Sequence, residues 1–270
     1  MKKLFFTTMI VILASVLVAC GGKDKADDEK IIKFGATAGP YSDMLSKAII
    51  PGLEEKGYEV QVTEFSDYVQ PNNSLDSGAI HANLFQHIIY LENFSTENKM
   101  ELSDLISVPT APLGIFSNKY DSLDDIEDGS TITIPNDPVN AARTLLTLED
   151  LGLIEISEDV DPIKASEKDV TKNPKNLVFQ PIEAGQLPRS VDGSDLAAVP
   201  GNFAIAASMN LLDALALEDM PDQFRNVVAI KTEDKDKQFA KDIQEVVESA
   251  EFEKIIDEQF EGFGKPSWMK

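Results

Sequence analysis

Ile31-Ile32-Lys33-Phe34-Gly35-Ala36-Thr37-Ala38-Gly39-Pro40 opens the stretch that decides the fold, and Tyr58-Glu59-Val60-Gln61-Val62-Thr63-Glu64-Phe65 closes it. Ile31 to Gly35 is a short apolar run ending in Gly35-Ala36-Thr37-Ala38-Gly39, the pattern of a strand and its turn. Tyr41 to Lys56 follows at helical spacing: Met44, Leu45, Ala48, Ile49 and Leu53 fall on one face, and Gly57 stops the helix. Pro51 should kink or split it, because proline has no N–H to give and its ring collides with the preceding turn. Tyr58, Val60, Val62 and Phe65 then alternate as a strand. Strand, helix and strand at this spacing form a βαβ unit, and such units build mostly parallel sheets.

Outward from this unit the pattern repeats. Gln86 to Asn98 reads as a helix, Leu105 to Val108 and Leu113 to Ser117 as strands. Thr131 to Pro135 reads as a strand and Asp137 to Leu151 as a helix. Leu177 to Ile182, Leu196 to Val199 and Val227 to Lys231 read as strands, and Asp236 to Ser249 and Phe252 to Phe260 as closing helices. The class is α/β, and the length suggests two α/β lobes around a cleft. Ligands of open α/β sheets sit at the carboxyl ends of strands, so the loops after strands carry the functional information.

The chain starts differently. Lys2 and Lys3 precede an apolar run, Leu4 to Ala19, and then Cys20 and Gly21. A basic start, a short apolar stretch and small residues at a cleavage point describe a secretory signal at residues 1–19. The run is shorter than the ~20 residues of a spanning helix. The surrounding pattern resembles the bacterial lipobox, which implies that Cys20 is acylated and anchors the protein to a membrane. Residues 20–30 read as a flexible, solvated tether. Cys20 is the one cysteine of 270 residues, so no intramolecular disulfide forms and stability rests on packing. The formal net charge of −23 repels phosphate backbones and anionic headgroups, which excludes nucleic acid as a partner and leaves lipid on Cys20 as the membrane link.

The strongest local signal is Pro135-Asn136-Asp137-Pro138-Val139-Asn140-Ala141-Ala142-Arg143. Asp137 is a good N-cap and Pro138 suits the first helical position, so a strand leads straight into a helix N-terminus, a ready anion site. Arg143, one turn beyond Asn140, offers a bidentate clamp for a carboxylate. Together they could hold the carboxylate of an amino acid; the bland alternative is a capped surface helix with a solvated arginine. In Asn83-Leu84-Phe85-Gln86-His87-Ile88-Ile89-Tyr90, the residues Phe85, His87 and Tyr90 sit where a strand hands over to a helix. Aromatic rings there could cradle an apolar or thioether side chain, and His87 could hydrogen-bond a ligand. Tyr68 and Asn202 also follow strands, and the competing reading of all these residues is an ordinary core. No catalytic signature is present: no G-x-S-x-G, H-E-x-x-H, Walker loop or G-x-G-x-x-G. The residues 124–135 fail as a calcium loop at Ile126 and Pro135. The reading is of a non-enzyme without catalytic residues, cofactor or metal.

Six motifs in order resemble the methionine-binding lipoprotein family, NlpA-type substrate-binding proteins of methionine ABC importers: Thr37-Ala38-Gly39, Phe65-Ser66-Asp67-Tyr68-Val69-Gln70-Pro71-Asn72, Ala82-Asn83-Leu84-Phe85-Gln86-His87, the stretch Pro135 to Arg143, Asn173-Pro174-Lys175-Asn176-Leu177, and Gln186-Leu187-Pro188-Arg189-Ser190. The resemblance runs from about Ile31 to Trp268. It implies a type II periplasmic-binding-protein-like fold, two α/β lobes joined by two crossover segments with the ligand in the cleft. Lobe 1 would hold residues 31–110 and 226–270, and lobe 2 residues 111–225. It implies that Arg143 holds a ligand carboxylate and that Tyr68, Phe85, His87, Tyr90, Asn140 and Asn202 line the pocket. It also implies methionine as ligand, an ABC permease and its ATPase as partners, and a lipid-anchored position on the extracellular face of a membrane, the tone of the sequence being closest to Gram-positive members. His81 and Phe203 depart from the family's usual residues. Within the class, D-methionine, a methionine-containing dipeptide or another apolar amino acid are alternative ligands; a secreted hydrolase and a surface adhesin are alternatives outside it.

Overall fold

The computed structural model describes residues 30–269; the signal segment, Cys20 and the tether to residue 29 lie outside the described residues. The chain begins with β1 (Ile31–Thr37), whose Ile32, Phe34 and Ala36 are buried. The helical run that follows is α1 (Pro40–Met44), a π turn (Leu45–Ile49) and α2 (Ile50–Glu55). Pro51 explains the break. A regular helix would ask residue 51 for an N–H, and a proline has none. The ladder widens just before it, so that the Ile50 N–H bonds the Leu45 carbonyl.

Next come β2 (Glu59–Phe65), α3 (Gln70–Asp76), β3 (Ala82–His87), α4 (Ile88–Asn98) and β4 (Leu102–Ser107). Then the chain crosses over, through residues 108–113, to β5 (Gly114–Phe116), β6 (Thr131–Pro135) and α5 (Pro138–Asp150). β7 (Glu155–Ile156) and β8 (Val170–Lys172) make a small antiparallel pair. β9 (Val178–Ile182), α6 (Leu187–Ser190), β10 (Leu196–Val199), α7 (Gly201–Ala206) and β11 (Ala216–Leu217) follow. Residues 218–225 cross back to β12 (Asn226–Lys231), and α8 (Gln238–Val247) and α9 (Ala250–Gln259) end the fold.

Two five-stranded sheets result, in the orders β2-β1-β3-β12-β4 and β11-β5-β10-β6-β9. β1 is parallel to β2 and β3, and β12 runs antiparallel to both its neighbours. In the second sheet β6 is parallel to β9 and β10, and β5 runs antiparallel to β10 and β11. Each sheet is therefore mostly parallel, and its one reversed strand is the strand that enters from a crossing. The two largest buried clusters draw on Ile32, Phe34, Leu84, Val228, Ile243 and Phe252, and on Leu113, Ile132, Leu145, Leu177 and Leu196. The crossings are laced together: the Asn226 N–H donates to Thr110 Oγ1 at 2.7 Å.

One expected boundary moves. The sequence starts a helix at Gln86, but the chain stays extended through His87 and turns helical at Ile88. Pairing with β12, in the register Val228 to Leu84 and Asn226 to His87, holds those residues as a strand.

Candidate functional site

The ends of β3, β6 and β10 and the loop after β2 meet around a small cavity. Tyr68, Phe85, His87, Tyr90, Asn140, Arg143 and Asn202 all line it, with Tyr41, Gln86, Thr110, Gly201 and Asn226. These are carboxyl ends of strands, where an open α/β sheet collects its ligand-facing groups.

α5 forms because Asp137 caps it, Pro138 starts it and Val139, Ala142, Leu145 and Leu148 bury one stripe. Asp137 Oδ1 accepts from the Asn140 N–H at 2.9 Å, and its carboxylate also accepts from Asn140 Nδ2 at 3.1 Å. The helix N-terminus read as an anion site thus holds the chain's own carboxylate. Burial raises the Asp137 pKa against these hydrogen bonds. Asn140 Oδ1 in turn faces His87 Nε2 at 3.3 Å.

His87 ends β3 and caps α4: its Nδ1 accepts from the Tyr90 N–H at 3.2 Å. With Nδ1 accepting, the proton of the neutral ring sits on Nε2 and points at Asn140. Burial, with the Arg143 charge beside it, lowers the His87 pKa to about 3. His87 is therefore a neutral donor at physiological pH.

An aromatic wall lies opposite. Tyr68 lies tilted against Phe85 at 5.7 Å and meets Tyr90 edge-on at 5.8 Å between ring centroids. The Tyr68 hydroxyl donates to Asn202 Oδ1 at 2.7 Å, and the Tyr90 hydroxyl donates to the Tyr68 carbonyl at 3.2 Å. Burial pushes both phenols above their usual range. Below the wall, buried Asn72, Asn83 and Gln86 exchange hydrogen bonds, Asn72 Nδ2 to Gln86 Oε1 and Gln86 Nε2 to Asn72 Oδ1 each at 2.7 Å. Phe203 packs behind Tyr68 at 4.9 Å, outside the lining. His81 lies away from the cavity, its Nδ1 accepting from the Lys33 N–H at 3.1 Å.

Arg143 is buried, and its guanidinium is already half engaged. Nε donates to Glu218 Oε1 at 2.7 Å and Nη2 to Glu218 Oε2 at 2.5 Å. Glu218 Oε2 also accepts from the Leu113 N–H at 3.1 Å. The Phe224 ring lies 5.2 Å from the Arg143 guanidinium carbon. The sequence reading supplies Arg143 and misses Glu218, whose only signal is an acid closing the short apolar run Leu215-Ala216-Leu217. It also misses Asn226, which opens β12 and faces the cavity; a polar residue opening an apolar strand was the available clue. Among the described residues no group of three or more His, Cys, Asp or Glu could hold a metal, and no helix is long and apolar enough to cross a membrane.

The NlpA lipoprotein family model matches residues 32–268. The methionine-binding lipoprotein MetQ of Bacillus subtilis is 34% identical over 268 residues, covering 97% of each chain. The D-methionine-binding lipoprotein MetQ of Escherichia coli is 32% identical over 269 residues, covering 98% of each chain. The structure of a nutrient-binding protein from Burkholderia cenocepacia bound to methionine superposes with a TM-score of 0.81 at 35% identity, over 86% of this chain and 97% of that one. The fold is that of these type II binding proteins, two α/β lobes joined by two crossing segments.

Proposed function

Because the chain belongs to the NlpA lipoprotein family, whose members are substrate-binding proteins and not enzymes, we propose that it captures methionine outside the cell and delivers it to an ABC permease and its ATPase. One observation carries the reading: a buried arginine with unspent donors faces a wall of Tyr68, Phe85 and Tyr90 across one small cavity. In this reading Arg143 takes the ligand carboxylate, Asn140 and Asn202 hydrogen-bond its polar end, neutral His87 lines the pocket and orients Asn140 through its Nε2–H, and the rings hold the thioether, where sulfur–aromatic contact is modestly favourable.

The lobes in this proposal are 31–110 with 226–270, and 111–225, in line with the two largest buried clusters. The protein hangs from the outer face of a membrane by lipid on Cys20, and the tether lets it reach the permease. A Gram-positive envelope is carried by the sequence resemblance alone. Calorimetric titration of residues 23–270, unfolded and refolded to strip carried ligand, tests the ligand. Tight one-to-one binding of L-methionine supports the reading. Binding confined to D-methionine or a methionine dipeptide moves the ligand within the class, and no heat with any amino acid defeats it. Continued acyl labelling of a Cys20→Ala variant would defeat the anchor.

A further inference from the structure

Glu218 is the buried charge that the proposed binding scheme leaves unused. Its side chain is 4% exposed and that of Arg143 6%. A guanidinium has five N–H donors in a fixed fork with two bidentate edges. Glu218 takes the edge made by Nε and Nη2. Among the described residues no other acceptor meets the guanidinium, so both Nη1 donors and the second on Nη2 are left for a ligand carboxylate.

The consequence is electrostatic. The pair Arg143–Glu218 is neutral, and it sits where charges are poorly screened. The other ionisable groups at the site do not change that balance in favour of an anion. Asp137 is bound to its helix N-terminus and to Asn140, and Arg225 is paired with Asp222 at 3.4 Å. His87 and the lining tyrosines are uncharged. A zwitterion keeps the buried site neutral, whereas a carboxylic acid lacking the ammonium group adds one uncompensated negative charge.

We infer that Glu218 is a specificity-determining and positioning residue: it fixes which edge of Arg143 faces the ligand and, by neutralising that arginine, makes the site select zwitterionic amino acids over monoanionic acids of the same shape. The inference rests on the reading of Arg143 as the carboxylate receptor. Its position suits the role. Glu218 starts the second crossing and, through the Leu113 N–H, ties the end of the first crossing to the arginine.

The full mature chain is titrated with L-methionine and with 2-hydroxy-4-(methylsulfanyl)butanoate, which replaces the ammonium by a hydroxyl. Wild type should prefer methionine by about a hundredfold or more. Glu218→Gln, which keeps the shape and removes the charge, should bind methionine more weakly and the hydroxy acid more tightly, shrinking the preference by about tenfold or more. Glu218→Asp should restore much of it. A role in folding alone would lower both affinities together, and an unchanged preference in Glu218→Gln overturns the inference. Equal affinity of wild type for the two ligands overturns it without any variant, whether or not Glu218→Gln folds. Wild type that binds neither ligand overturns instead the reading of the site on which the inference stands.

Discussion

Arg143 and His87 divide the chemistry of the cavity between a fixed charge and a fixed neutral donor. Arg143→Ala removes the ligand's charge partner and strands Glu218 in the interior. Breaking a buried pair on one side costs roughly 3–5 kcal/mol. Thermal denaturation should show that loss, and methionine affinity should fall by about a hundredfold or more; unchanged affinity would exclude the carboxylate role. His87 predicts a pH dependence of stability. Its ring takes a proton near the ordinary 6.5 when the chain is unfolded, but only near about 3 when folded. The folded value is depressed, so the stability is complete above pH 6.5 and is lost as pH falls toward 3, with a slope of up to ~1.4 kcal/mol per pH unit. Denaturant midpoints between pH 6.5 and 4.5 should therefore fall more steeply for wild type than for His87→Gln. Parallel curves would mean that the imidazole is free to protonate in the fold.

At the scale of elements, the helix cap and the ligand-facing amide are one device. Asp137 holds α5 by its backbone and Asn140 by its side chain, through the same carboxylate. Asp137→Ala should cost about 1 kcal/mol of stability, as for other N-caps. It should also weaken methionine binding, although Asp137 does not line the cavity, because Asn140 loses its orientation. Denaturation and titration of one variant check both, and a stability loss with unchanged affinity would separate cap from site. This element was legible in the sequence because its causes are local: Asp137, Pro138 and an apolar stripe lie within one short segment. β10 was equally legible, since a strand buried on both faces reads as an apolar run, as Leu196-Ala197-Ala198-Val199 does. The start of α4 was not. Gln86 and His87 suit a helix locally, and β12, far along the chain, keeps them extended by pairing. Glu218 was invisible for the same reason: 75 residues separate it from Arg143, and nothing near either residue announces the other.

At the scale of the molecule, each sheet repeats one plan, with a parallel set and a single reversed strand delivered by a crossing. At two points on the rim of the cleft the lobes approach each other through a glycine, with almost no side chain between them. Gly39, in the loop after β1, has φ 97°, and a Cβ built there would stand 2.8 Å from the Ala206 Cβ at the end of α7. On the same rim, a Cβ on Gly185 would lie 3.0 Å from the Ser66 carbonyl oxygen. Side chains at these points would hold the lobes apart. Gly39→Val would also strain the backbone, since a β-branched residue avoids positive φ. Ala206→Leu is the cleaner test, because Ala206 is exposed and helical and leucine is a good helix former. Its stability should stay within about 0.5 kcal/mol of wild type. The added side chain crowds Gly39 and should push the two lobes apart at this rim, so methionine affinity should fall. Solution X-ray scattering should show the wild type contracting on methionine and Ala206→Leu contracting less. If that variant binds and contracts as the wild type does, contact between Gly39 and Ala206 is incidental to closure, and the lips must be set by the crossings alone.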